Sequence, residues 1–164
     1  MKFGPVPLEQ AEGKILGHNV AGETGRRLLR RGKPLSLDDL EALRGIGRSV
    51  VYVAELEAGD VPENEAAERV ARAALGAGLR LSGAATGLIN LSASVLGLFR
   101  VDSERLKRLN ESDGITLASV AAHAVVRPGQ TVATVKVIAY AVTSDVVESA
   151  EAEARRRCSA PSCG

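Results

Sequence analysis

The sequence predicts an α+β fold, a mixed sheet with several short helices. Three observations lead there. Runs rich in β-branched residues, at 49–54, 115–120 and 131–142, are interleaved irregularly with segments of helical period, without a strict strand–helix–strand repeat. Hydrophobic residues make up 45% of the chain but aromatics only 2%, with no Trp, so the core must be built from Val, Leu, Ile and Ala. The length of 164 residues fits one domain or two very small ones. One domain over 1–157 followed by a flexible tail, 158–164, is the expected division. The only place for a seam is near 58–62, and a seam there makes the chain two-lobed.

Residues 1–35 read as strand and turn, with 14–20 an apolar-rich segment between glycines. The basic stretch 25–33 suits an exposed strand or hairpin edge, where arginine heads stay in water. Ser36-Leu37-Asp38-Asp39 is a helix start, with a capping hydroxyl and acids at the positive end of the helix dipole. Leu37, Leu40 and Leu43 continue it, Gly45 and Gly47 stop it, and 49–54 follows as a buried strand. Pro62 opens a second helix, whose Ala66, Ala67, Val70, Ala73 and Ala74 form an apolar side. A small-residue segment at 79–87 precedes strands at 88–91 and 95–101. Asp102 caps a third helix, with Leu106 and Leu109 facing in. Strands at 115–120 and 131–142 are joined through the Arg127-Pro128-Gly129-Gln130 turn, and a terminal helix runs from Val146 to about Arg157.

The charge balance limits the function. Lys plus Arg total 21 and Asp plus Glu total 20, a net charge of +1, which offers no global attraction for DNA or an acidic membrane. The scarcity of aromatics removes the platforms on which a nucleic-acid surface stacks bases. The N-terminal stretch has no apolar run of signal-peptide length, no stretch approaches the roughly 20 apolar residues of a membrane span, and the cytoplasm is the expected location. The sequence holds no P-loop, no His-Glu-x-x-His pattern and no Gly-x-Ser-x-Gly elbow, so no catalytic residue is assigned. His18 and His123 read as ordinary polar residues. Cys158 and Cys163 have four residues between them instead of the two of common zinc and redox motifs, so no metal is expected. Arg26, Arg27, Arg30, Arg31 and Lys33 form the best local anion-binding signal, and the same run also reads as a solvated edge strand protected by charge.

Three stretches together resemble a known pattern. The run 11–20 (Ala-Glu-Gly-Lys-Ile-Leu-Gly-His-Asn-Val) is similar to the opening helix-to-strand segment of molybdopterin molybdenumtransferase proteins. Gly32-Lys33-Pro34-Leu35-Ser36-Leu37-Asp38-Asp39-Leu40, with Leu43, Gly45-Ile46-Gly47, Val50-Val51 and Val53, resembles those proteins' turn, short helix, glycine and strand. Thr86-Gly87, Asn90-Leu91, Leu109-Asn110, Ile115-Thr116-Leu117-Ala118 and 132–138 resemble the middle of bacterial molybdopterin-binding proteins. The likeness covers most of residues 6–142, and no stretch matches the molybdopterin-binding α/β domain into which such proteins usually continue.

The resemblance implies an accessory or amino-terminal domain of a molybdopterin-binding protein, acting in molybdenum-cofactor biosynthesis. Its cofactor would be molybdopterin or the molybdenum cofactor, with none intrinsic to the fold. Its partner would be a molybdopterin-handling catalytic domain or protein, and homo-oligomers are expected. The cationic candidates are Arg26, Arg27, Arg30, Arg31 and Lys136, and the polar turn candidates are Thr86, Gly87 and Asn90. A structural oligomerisation module without a small-molecule site is the rival expectation.

Overall fold

A computed structural model describes residues 1–22, 24–155 and 158–160. The fold is α+β, and the chain divides into two compact units, Met1–Ala58 and Gly59–Gly164.

The first unit opens with β1 (Lys2–Pro7) and a short 3-10 turn at Leu8–Gln10. Then come β2 (Ile15–Leu16), β3 (Val20–Ala21), β4 (Arg27–Leu29), α1 (Leu37–Gly45) and β5 (Val50–Glu55). The sheet order is β1-β5-β2, all antiparallel, and β3 pairs with β4 as a separate hairpin. Pro5 and Pro7 lie in β1, which has β5 as its one partner; prolines lack the N–H that a central strand needs and are tolerated at an edge. β5 alternates: Val51 and Val53 are buried, whereas Val50 and Tyr52 are exposed. Leu8, Leu16, Leu35, Leu40, Leu43, Val51 and Val53 make this unit's core. Ser36 caps α1 as expected, in a full capping box with Asp39.

The second unit contains β6 (Asp60–Pro62), α2 (Glu63–Ala74), β7 (Leu79–Leu81), β8 (Leu88–Ala93), β9 (Gly97–Leu98) and β10 (Arg100–Val101). It continues with α3 (Ser103–Asn110), β11 (Ile115–Ser119), β12 (Val125–Val126), β13 (Thr131–Val137), β14 (Ala141–Thr143), α4 (Ser144–Ala154) and β15 (Cys158–Ser159). Its main sheet is antiparallel, in the order β11-β13-β8-β7. Ile89, Leu91 and Ala93 alternate into the core from β8. A bulge between Thr131 and Ala133 lets the consecutive Val132 and Ala133 both be buried. The alanine-rich face of α2 packs on β8, β13 and α4, and Arg69 binds Glu151 of α4 through two hydrogen bonds, Nε to Oε1 at 3.0 Å and Nη2 to Oε2 at 2.8 Å. The β6–β14 ribbon starts both helices, since Pro62 precedes α2 and Thr143 precedes α4.

Four expectations need correction. The run 131–142 is two strands, because the chain turns at 138–140 so that β14 can pair with β6. The run 95–101 is likewise divided, β9 pairing with β12 and β10 with β15. Part of the small-residue segment at 79–87 is a strand, β7, hydrogen-bonded along β8. Residues 158–160 do not fray: Cys158 pairs with Val101, Ala160 N–H donates to the Ala77 carbonyl at 2.8 Å, and both Cys158 and Ala160 are buried. Cys163 lies outside the described residues.

Candidate ligand-binding site

The local geometry of the first unit follows from short apolar strands brought together by β5. Leu16 pairs with Val53 and Gly17 N–H donates to the Tyr52 carbonyl at 2.8 Å, so the segment 16–19 lies beside 50–52. A cavity of about 520 Å³ opens here. Leu16, Val20, Ala21, Leu43, Val50 and Val51 provide its apolar lining, and His18, Asn19, Arg48 and Tyr52 its polar groups. The volume is in the range of small-molecule sites, and the mix of mainly apolar walls with a few polar groups is typical of them.

Three rings gather on this side of the sheet. Phe3 meets His18 edge to face, with centroids 5.7 Å apart and planes at 84°. His18 and Tyr52 are 5.5 Å apart at 55°, and Phe3 and Tyr52 are 6.3 Å apart at 34°. Gly17 makes this packing feasible: a Cβ there would lie 2.6 Å from the Phe3 ring and 2.9 Å from the Tyr52 carbonyl. Arg48 follows α1, its N–H fixed to the Leu43 carbonyl at 3.0 Å. Among the described residues Arg48 makes no ion pair. Asn19 accepts the Arg31 N–H on Oδ1 at 2.9 Å, which leaves its NH2 group as a donor.

Arg26, Arg27, Arg30 and Arg31 are exposed on and beside the β3–β4 hairpin. Val20 and Ala21 of β3 line the cavity and Ala21 is the register partner of Arg27, so the basic strand lies next to the lining, although none of Arg26, Arg27, Arg30 and Arg31 is itself a lining residue. Arg26, Arg27 and Arg30 make no ion pair among the described residues. Lys33 is spoken for, its Nζ lying 2.6 Å from Asp39 Oδ1.

The other four candidates meet in the second unit. The Lys136 ammonium donates to the Thr86 carbonyl, across 50 residues of sequence. Thr86 and Gly87 have positive φ, 50° and 68°. Gly87 N–H donates to Asn64 Oδ1 at 2.8 Å, and its carbonyl accepts the Val137 N–H at 2.8 Å. A Cβ on Gly87 would lie 2.8 Å from the Val137 carbonyl and 3.2 Å from the carboxylate of Glu63, so only glycine fits. Asn90 Oδ1 accepts from Thr134 Oγ1 at 2.7 Å. These contacts lock the 82–87 turn against β13 and leave Lys136 with further N–H groups.

Arg48 and Tyr52 are cavity-lining groups outside the sequence candidates, and His18, which reads from sequence as an ordinary polar residue, lines the cavity with them. Each is a single polar residue in an unremarkable local context, and the signal that joins them is the β2–β5 pairing. Among the described residues no group of three or more His, Cys, Asp or Glu side chains is placed to hold a metal ion, and no helix is long and apolar enough to cross a membrane.

Residues 5–55 match the family model described as Domain of unknown function (DUF8806). The matched span lies within the first unit and includes the basic hairpin and every residue that lines the cavity. No curated protein and no solved structure matches the chain.

Proposed function

We propose that this chain is an accessory or amino-terminal domain of a molybdopterin-binding protein, which binds a pterin phosphate without turning it over. It would act in molybdenum-cofactor biosynthesis in the cytoplasm, beside a molybdopterin-handling catalytic domain or protein. One observation carries the reading: β4 and its exposed arginines, with Arg26, Arg27 and Arg30 outside any described ion pair, pair with β3, whose Val20 and Ala21 line a cavity of ligand size. A planar guanidinium matches phosphate oxygens in a bidentate fork, and the apolar walls suit a ring. Within the second unit, taken by itself, the turn at Thr86, Gly87 and Asn90, with Lys136, is a separate set of polar groups that the family resemblance selects.

Titration calorimetry with molybdopterin and its nucleotide tests this. The Arg26→Ala, Arg27→Ala double variant should bind about tenfold or more weakly, since charge-assisted hydrogen bonds contribute roughly 1.5–3 kcal/mol each. Equal binding by both proteins removes the hairpin from the site.

A second reading has its own observation. Phe3, Val50 and Tyr52 are 47–49% exposed, and the β1–β5 register puts them on one sheet face. That apolar face favours self-association, so an oligomerisation module is the alternative. Sedimentation of wild type and of a Phe3→Ser variant separates the two: a dimer lost in the variant, with no pterin binding by either protein, supports the alternative.

A further inference from the structure

We infer that the cavity of the first unit takes a planar heteroaromatic ring bearing a phosphate, with the ring against Tyr52 and His18 and the phosphate at Arg48. The inference rests on the reading of this unit as a binding module and adds the residues that would hold the ligand.

The chain has two Phe, two Tyr, two His and no Trp. Three of those six side chains, Phe3, His18 and Tyr52, gather at one place. A core-building role would bury them, as it buries Phe99 in the other unit, yet Phe3 and Tyr52 stay about half exposed and His18 is exposed. His18 and Tyr52 line the cavity with their planes inclined at 55°, so a flat partner can lie against the face of one ring with its edge toward the other. Gly17 keeps the cluster in place, because any larger residue there displaces the Phe3 ring.

Asn19 has its oxygen occupied by the Arg31 N–H, so its amide presents donors. Arg48 brings five N–H donors and no acceptor, and its backbone is pinned by the Leu43 carbonyl. No described carboxylate neutralises it. A donor-rich rim around apolar walls selects an acceptor-rich anion with a ring attached, and a phosphate monoester is an anion that a guanidinium group grips bidentately. The volume of about 520 Å³ accommodates a two-ring heterocycle with its phosphate.

A mononucleotide and a pterin phosphate share this chemistry, so both are used as probes. Guanosine 5′-monophosphate, guanosine, inorganic phosphate and molybdopterin are titrated separately into the full chain. The monophosphate should bind at least tenfold more tightly than guanosine or phosphate. Arg48→Ala should lose that advantage while leaving guanosine unchanged, and Tyr52→Ala should weaken guanosine and the monophosphate alike. Both positions are exposed, and unchanged melting temperatures confirm that the variants fold. If either variant is unfolded, the His18 and Tyr52 ring resonances of the wild type should shift on adding the monophosphate. No monophosphate binding, equal binding by Arg48→Ala, or unmoved ring resonances would overturn the inference. Monophosphate binding without molybdopterin binding would sustain the inference and remove the molybdopterin reading; molybdopterin binding that is indifferent to Arg48 and Tyr52 would do the reverse.

Discussion

Lys33 and Asp39 face each other at the start of α1, Nζ to Oδ1 at 2.6 Å, while the other Asp39 oxygen accepts the Ser36 N–H at 3.0 Å and the Ser36 hydroxyl at 2.9 Å. One carboxylate thus closes the capping box and anchors the chain that leaves the basic hairpin. Replacing Ser36 with Ala should cost about 0.5–2 kcal/mol, read as a lower urea midpoint with unchanged slope. An unchanged midpoint would deny the cap its energetic role.

The same carboxylate gives stability a pH dependence. Burial opposes its charge, but hydrogen bonds from Lys33 and Ser36 outweigh that, and the Asp39 pKa is held below its ordinary value. Glu151 is lowered too, chiefly by the hydrogen bonds from Arg69. A group with a lowered folded pKa stabilises the fold above its unfolded value, and that contribution is lost as pH falls through the folded one. The melting temperature should therefore decline from about pH 4 downward, for unfolded values near those of model carboxylates. Arg69→Gln should cost about 1 kcal/mol at neutral pH and flatten the Glu151 share of the decline. An identical acid profile in Arg69→Gln would contradict the assignment.

Much of the fold was legible in local sequence, and the exceptions are non-local. Ser36 and Asp102 could be read as caps because a cap needs only the three residues that follow it. The turn at 138–140 could not, because 131–142 lacks glycine and proline and the break is imposed by β14 pairing with β6. The burial of Cys158 and Ala160 was hidden for the same reason, since their partners are Val101 and Ala77. The exposed arginines of the β3–β4 hairpin announced themselves by charge density. Thr86 and Lys136 emerged from the family resemblance, and their hydrogen bond joins the turn before β8 to the neighbouring strand β13. His18, Arg48 and Tyr52 are brought together by strand pairing that no short window contains.

The end of the chain gives a third expectation. Burial pushes the Cys158 thiol up to about 11, so little thiolate exists at neutral pH. Peptide mapping after alkylation at pH 8 should show Cys158 unmodified in the native protein and modified after denaturation. Removing 158–164 should lower stability by about 2 kcal/mol, or about 4–8 °C in Tm, through the lost burial of Cys158 and Ala160. A truncated chain as stable as the full one would show that β15 contributes nothing.

Gly17 supports a fourth. Gly17→Ala forces a Cβ against the Phe3 ring and the Tyr52 carbonyl, and overpacking of this kind costs about 1–3 kcal/mol. The variant should be less stable and should lose the ring contacts between Phe3 and His18 seen by NMR. Retention of both would mean that the ring cluster does not depend on this glycine.

The proposed pterin phosphate binds in the first unit, beside the basic hairpin. Backbone chemical-shift mapping of the labelled full chain during titration with molybdopterin tests it most directly. Saturable shifts concentrated at residues 16–21, 26–31 and 48–52 are expected, with no chemical change in the ligand. No shifts at saturating ligand, or shifts confined to residues outside those segments, would contradict it.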